Sequence, residues 1–378
     1  MPEPRFLSGR DPATGRSLRV RIEAGLVAAI EPAGPGEKCW LAPGLVDLQV
    51  NGYAGWDLNA GSFGADTVAR LAAALRSRGT TCFVPTLITA AEAEIVAALK
   101  VLAEARAADP ALKRAIPYVH VEGPHISAED GPRGAHPARH VRPPDVQEFA
   151  RWQAACGGLV GMVTASPHDP GAGAYIAALR QSGVYVAIGH THATPEQIVA
   201  AADAGAVLST HLGNGAAASL PRHPNLSWAQ LAEDRLWASF IADGHHLPAD
   251  TLKSMLRAKS IARSILVSDV AAPGGLPPGR YSTAIGGEVE LTADGRLGLA
   301  GTPFLAGAAR PLAAGVAFVA GCCDVTLGDA VRLATANPAR FAPGHGVLRL
   351  GAPADLVRFR WQPGERDLDI DTVLVAGR

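Results

Sequence analysis

Eight short apolar runs, each followed by an Ala- and Leu-rich amphipathic stretch, set the tightest limit on what this 378-residue chain folds into. The runs lie near 45–50, 81–86, 116–122, 159–163, 184–189, 206–210, 237–242 and 264–268. Helices are expected near 65–78, 91–107, 145–156, 174–183, 195–204, 227–234, 248–257 and 327–336. Continuous apolar runs of this length read as strands buried on both faces, as in parallel sheets covered by helices. Eight of them interleaved with helices favour a closed (β/α)8 barrel, an α/β fold, over an open doubly wound sheet.

The two ends have a different texture. Leu18–Ile22 alternates, Leu26–Ile30 follows a glycine, and 346–359 and Thr372–Val375 look similar. Strand-like termini predict one small β-sandwich domain from residues 1–42 and 345–378, with the barrel spanning 43–344. The formal charge of −1 gives no electrostatic reason to expect nucleic acid or an anionic membrane. Five cysteines without a CxxC pair read as reduced thiols, with Cys322 and Cys323 as small buried residues. Residues 1–12 lack a signal-peptide core, and the apolar stretch 311–323 is too short to span a bilayer. A cytoplasmic protein is the expectation.

The chemistry-bearing residues stand at the carboxyl ends of these runs, where barrel enzymes carry their sites. Glu122, His190 and His211 each close one run and are separated by 68 and 21 residues. Such spacing makes no local finger motif; it brings ligands together only if the strands are neighbours. Two imidazoles and one carboxylate suit zinc with a position left for water, and they also suit Fe2+. Asp269 ends the run from Ser264 and is placed to take a proton from that water. Gln49 and Asn51 end the first run, where barrel hydrolases of this kind carry His-x-His and a second metal. Amides are poor ligands, so one divalent metal per subunit is expected, with Gln49 and Asn51 supporting the mouth. The candidate substrate ring is His136, Asn214, Gly215, Arg222 and His246. No role is assigned to His125, His168 or His245.

The motifs Pro43–Gly52, Pro85–Thr89, His120–Pro124, Gly189-His190, Thr210–Leu212, Ile241–Gly244, Asp269–Pro273 and Gly351–Val357 run through nearly the whole chain. In these the chain resembles the N-acetylglucosamine-6-phosphate deacetylase family of the amidohydrolase superfamily. The resemblance implies a barrel with a split β domain and a homodimer whose loops reach the neighbouring site. It implies Glu122, His190 and His211 as ligands of one metal and Asp269 as the acid/base. It further implies His136 and His246 on the substrate and Arg222 on its phosphate, donated across the dimer. The expected reaction is hydrolysis of the N-acetyl amide of an amino sugar phosphate. The alternative is a different N-acyl amine or cyclic amide, with no phosphate required. Gly213–Ala217 motivates it, because the family usually has an aromatic residue followed by Asn-Ala-Met there. His125, Ser166-Pro-His168 and the 221–225 loop depart from the pattern as well. A non-catalytic sugar-binding protein is disfavoured by retention of all three ligands and Asp269.

Overall fold

A computed structural model describes residues 4–284 and 286–378. Eight parallel strands form the central sheet: β1 (Leu45–Val50), β2 (Thr80–Ile88), β3 (Val119–Glu122), β4 (Val160–Ala165), β5 (Tyr185–Ile188), β6 (Leu208–Ser209), β7 (Trp237–Ile241) and β8 (Ser264–Val267). They pair in chain order from β1 to β8. The ring closes where β8 returns to β1. There the Asp269 N–H donates to the Gln49 carbonyl at 3.0 Å, the Asn51 N–H donates to the Val270 carbonyl at 3.0 Å, and Val50 bridges Val270. Asp47 reinforces this seam below, accepting the Ser268 N–H at 3.0 Å.

All residues of β1, β2, β3 and β8 are buried, which explains the uninterrupted apolar texture. Period-two geometry still sorts the two faces. Val119 and Val121 pack outward with Leu99 and Trp152 of the surrounding helices. His120 and Glu122 therefore face the barrel interior. Cys82, Val84, Met162, Ala187, Leu208, Ile241 and Ile265 form one cluster drawn from strands around the ring, which is the inner core.

Helix boundaries follow local signals. The helix Val146–Cys156 starts where Asp145 accepts the Gln147 N–H at 2.8 Å and stops at Gly157, φ +61°. The helix Pro195–Ala204 starts in a capping box made by Thr194 and Gln197, and ends at Gly205.

Both chain ends meet in one six-stranded sheet, in the order Asp369–Leu374, Leu356–Arg360, Trp40–Pro43, Arg5–Arg10, Ser17–Glu23, Leu26–Pro32. Much of the 346–359 segment is irregular rather than strand; before Leu356 its backbone makes isolated bonds to Gly25–Val27 at the edge of the sheet. Three features were not visible in the sequence pattern. A three-stranded antiparallel flap follows β8 (Gly279–Thr283, Gly287–Leu291, Leu297–Leu299). A short helix, Pro110–Ala115, follows the Glu92–Ala108 helix. The apolar stretch near 311–323 is the helix Leu312–Cys322, buried along most of its length, so it shows no amphipathic period. All five cysteines are free; Cys323 is buried as expected, whereas Cys322 is half-buried. Among the described residues no helix is long and apolar enough to cross a membrane.

Candidate active site

Glu122 is the last residue of β3, while His190, His211 and Asp269 each stand two residues beyond β5, β6 and β8. The last three have φ of +47°, +30° and +50°. A non-glycine residue in that region costs about 1–2 kcal/mol. Such strain is tolerated where surrounding structure fixes it, commonly at functional sites. All four line one cavity of about 200 Å³ together with Asn51, His136, Asn214, Gly215 and His246.

Glu122 is the hub. Its Oε1 lies 2.8 Å from His211 Nε2 and 3.5 Å from His190 Nε2, and its Oε2 lies 3.8 Å from His136 Nε2. Gln49 Nε2 donates to the same Oε1 at 2.9 Å, while its own oxygen accepts from Thr210 Oγ1 at 2.9 Å. Burial alone would raise the Glu122 pKa, but hydrogen bonds from His190 and His211 outweigh it and hold the carboxyl well below the usual range. Gln49 thus orients the carboxylate, and its potential ligand oxygen is already engaged.

Among the described residues, Glu122, His136 and His190 form a group whose ligand atoms all lie within 4.8 Å of one another. Hydrogen bonding separates the two histidines. His190 Nδ1 donates to the Pro132 carbonyl at 2.9 Å, so its Nε2, which faces Glu122, becomes available as a ligand once the proton between them leaves. His136 Nδ1 receives the Thr89 N–H at 3.4 Å and lies 2.8 Å from Thr89 Oγ1. A backbone N–H only donates, so the neutral His136 ring carries its proton on Nε2. Burial, reinforced by neighbouring His190, holds its pKa well below the ordinary value. His136 is therefore better suited to donate a hydrogen bond than to ligate. His211 fits as a ligand once the proton it shares with Glu122 leaves, as metal uptake by such sites generally requires. A buried carboxylate facing inward-directed imidazoles matches a divalent cation of the zinc type.

Burial and then the Glu122 charge push the Asp269 carboxyl up to about 6, against His211, His246 and a 2.7 Å hydrogen bond from Asn51 Nδ2. Beneath it, burial pushes Asp47 up to about 7. His246 is fixed by Asp243, whose Oδ2 meets Nδ1 at 2.8 Å and whose Oδ1 accepts the N–H groups of His245 and His246. Asn214 Nδ2 donates to the His211 carbonyl at 3.3 Å, and the Gly215 carbonyl accepts the Thr191 N–H at 3.2 Å. Arg222 is not among the cavity-lining residues; it is exposed on the following loop. The sequence motifs contain Thr89, Thr210 and Asp243 but gave them no role in orienting the site, and Pro132 and the walling residues Leu305–Gly307 were missed. Only Asp243, three residues before His246, carried a readable signal.

A family model described as "Amidohydrolase family" matches residues 40–378. An N-acetylgalactosamine-6-phosphate deacetylase from Escherichia coli O157:H7 is 32% identical over 336 residues, covering 87% of this chain and 86% of that protein. An N-acetylglucosamine-6-phosphate deacetylase from Bacillus subtilis is 31% identical over 322 residues, covering 84% and 80%. Among solved structures, an N-acetyl-D-glucosamine-6-phosphate deacetylase mutant from Mycobacterium smegmatis, in complex with N-acetyl-D-glucosamine-6-phosphate, superposes with a TM-score of 0.88. It is 30% identical, with 99% of this chain and 98% of that chain covered.

Proposed function

The chain belongs to the amidohydrolase family, and on that premise we propose that it removes the acetyl group from an N-acetylated hexosamine 6-phosphate, giving acetate and the free amino sugar phosphate. N-acetylglucosamine-6-phosphate is the first candidate substrate. The observation that carries this reading is the convergence of Glu122, His190, His211 and Asp269 on one cavity, in a chain whose relatives over most of its length are deacetylases of such sugars.

Glu122, His190 and His211 would hold one divalent cation, for which zinc is the best match and Fe2+ the second. Bound there, such an ion acidifies water and polarises an acyl oxygen. Gln49 and Asn51 direct their amide hydrogens at Glu122 and Asp269, which supports a single-metal site. Asp269, as the anion, accepts the proton of the attacking water and returns it to the leaving nitrogen. His136 presents its Nε2–H to the acyl oxygen as charge develops on it. His246, held by buried Asp243, faces the sugar hydroxyls or phosphate.

Among the described residues no Lys or Arg lines the cavity. Full charge pairing for a phosphate must therefore come from elsewhere, and exposed Arg222, which makes no ion pair among the described residues, is the candidate from a second copy in a homodimer. The test is amine release from N-acetylglucosamine-6-phosphate and N-acetylgalactosamine-6-phosphate, each with its unphosphorylated counterpart. Preference for either phosphate supports the reading. Equal rates with and without phosphate would count against phosphate recognition, and no turnover of any of the four would move the substrate to another N-acyl amine.

A further inference from the structure

The loops after β3, β4 and β5 assemble a second histidine cluster that the reaction does not use. The rings of His168 and His192 face each other with centroids 4.3 Å apart and planes inclined by 42°. Each Nδ1 lies 2.6 Å from a serine hydroxyl, Ser166 for His168 and Ser127 for His192. Both serines are fully buried. Ser166 Oγ donates to Thr191 Oγ1 at 2.7 Å, so it accepts from His168 Nδ1 and leaves that ring's Nε2 lone pair free. Gln197 Nε2 anchors the backbone by donating to the His168 carbonyl at 3.1 Å. The Glu129 carboxylate stands 3.7 Å from His192 Nε2, and its N–H donates to Ser127 Oγ at 3.1 Å. Glu129 is exposed and His192 is one-third exposed, so solutes can reach the cluster.

We propose that His168, His192 and Glu129 bind a second divalent transition-metal ion, separate from the Glu122 centre, which ties the three loops together at the barrel mouth. Imidazole pairs select Zn2+, Ni2+ or Cu2+ over the hard cations Mg2+ and Ca2+. Hydrogen bonds to the far ring nitrogen orient ligating histidines and raise their basicity, and both serines are placed for that task. Two imidazoles and one carboxylate leave the remaining positions to water, as in other zinc sites with three protein ligands. The donor atoms of the three residues do not all lie within 4.8 Å of one another as they stand, and the exposed Glu129 side chain, 3.7 Å from His192 Nε2, is free to turn into coordination.

The test is equilibrium dialysis of the full chain against rising free Zn2+, with metal content measured per chain. Wild-type protein is compared with His168→Asn, His192→Asn and a control at a half-buried histidine outside the cluster, His140→Asn. Wild type and control should take up one equivalent more than either cluster variant, and only they should gain thermal stability with that last equivalent. Retained deacetylase turnover reports folding of the variants. Equal zinc uptake by wild type and both cluster variants would overturn the site. So would loss of the same equivalent in the His140→Asn control, which would show scattered surface binding.

Discussion

Asp269 concentrates the argument at the residue scale. Its carboxyl is buried beside Glu122, its backbone is in the left-handed region, and Asn51 directs a hydrogen bond at it. Asp269→Asn keeps the shape, tolerates the positive φ and removes a buried charge. The variant should fold at least as stably as wild type and keep its metal, while kcat falls by roughly 10²–10⁴, the usual worth of a general acid–base group. Near wild-type turnover would remove Asp269 from the mechanism. The pH dependence has a definite sign. With a pKa raised to about 6, Asp269 is protonated and unable to act as base at lower pH, so kcat/KM should fall as pH drops. The midpoint of that limb lies at or below pH 6, since a nearby cation stabilises only the anion. The linked stability runs the other way: the raised pKa favours the folded state below about pH 4, and that contribution is lost as pH rises through 6. That Glu122, His190, His211 and Asp269 meet at one cavity was legible because each ends an apolar run. Thr89, Pro132 and Thr210 were not, because a threonine or a carbonyl that orients a histidine has no pattern of its own; only the fold identifies its partner.

At the scale of elements, the eight strands were legible from burial on both faces, and their helices from amphipathic period. The Leu312–Cys322 helix was hidden by the same physics, since a helix buried nearly all round has no polar face to mark the period. Of the flap, Gly279–Thr283 was hidden because it has no buried residue and does not alternate apolar with polar, whereas Gly287–Leu291 does alternate but is too short to stand out. Lys259 shows how one element finishes another. Its Nζ is buried and donates to the carbonyls of Gln230 at 2.8 Å and Glu233 at 2.7 Å, where the Leu226–Ala232 helix ends. Lys259→Met leaves those acceptors unsatisfied and should cost about 2 kcal/mol. Urea unfolding measures it; an unchanged midpoint would mean water replaces the ammonium freely.

At the scale of the whole molecule, the terminal sheet and the barrel are joined by a paired charge. Asp355, in the irregular turn before the strand Leu356–Arg360, accepts Arg114 at 2.7 Å and 3.3 Å and the Ala376 N–H at 2.8 Å. Its side chain is 5% exposed while Arg114 is 28% exposed. Asp355→Ala should therefore destabilise by about 2–3 kcal/mol, somewhat less than breaking a fully buried pair. Calorimetry would reveal the loss, and an unaltered transition would show that the sheet is held by its apolar core alone. Substrate recognition belongs to this scale as well, because among the described residues no Lys or Arg lines the cavity of one chain. Arg222→Ala should raise KM for the phosphorylated sugar roughly 10- to 100-fold, the worth of charge-assisted hydrogen bonds, with kcat little changed. An unchanged KM would exclude Arg222 from phosphate binding. The central claim is tested most directly by amine release from N-acetylglucosamine-6-phosphate, comparing zinc-loaded with chelator-stripped protein. The account predicts turnover that disappears on stripping and returns with one equivalent of zinc at the Glu122 centre. Turnover that survives stripping, or none on either hexosamine phosphate with the metal site filled, would contradict it.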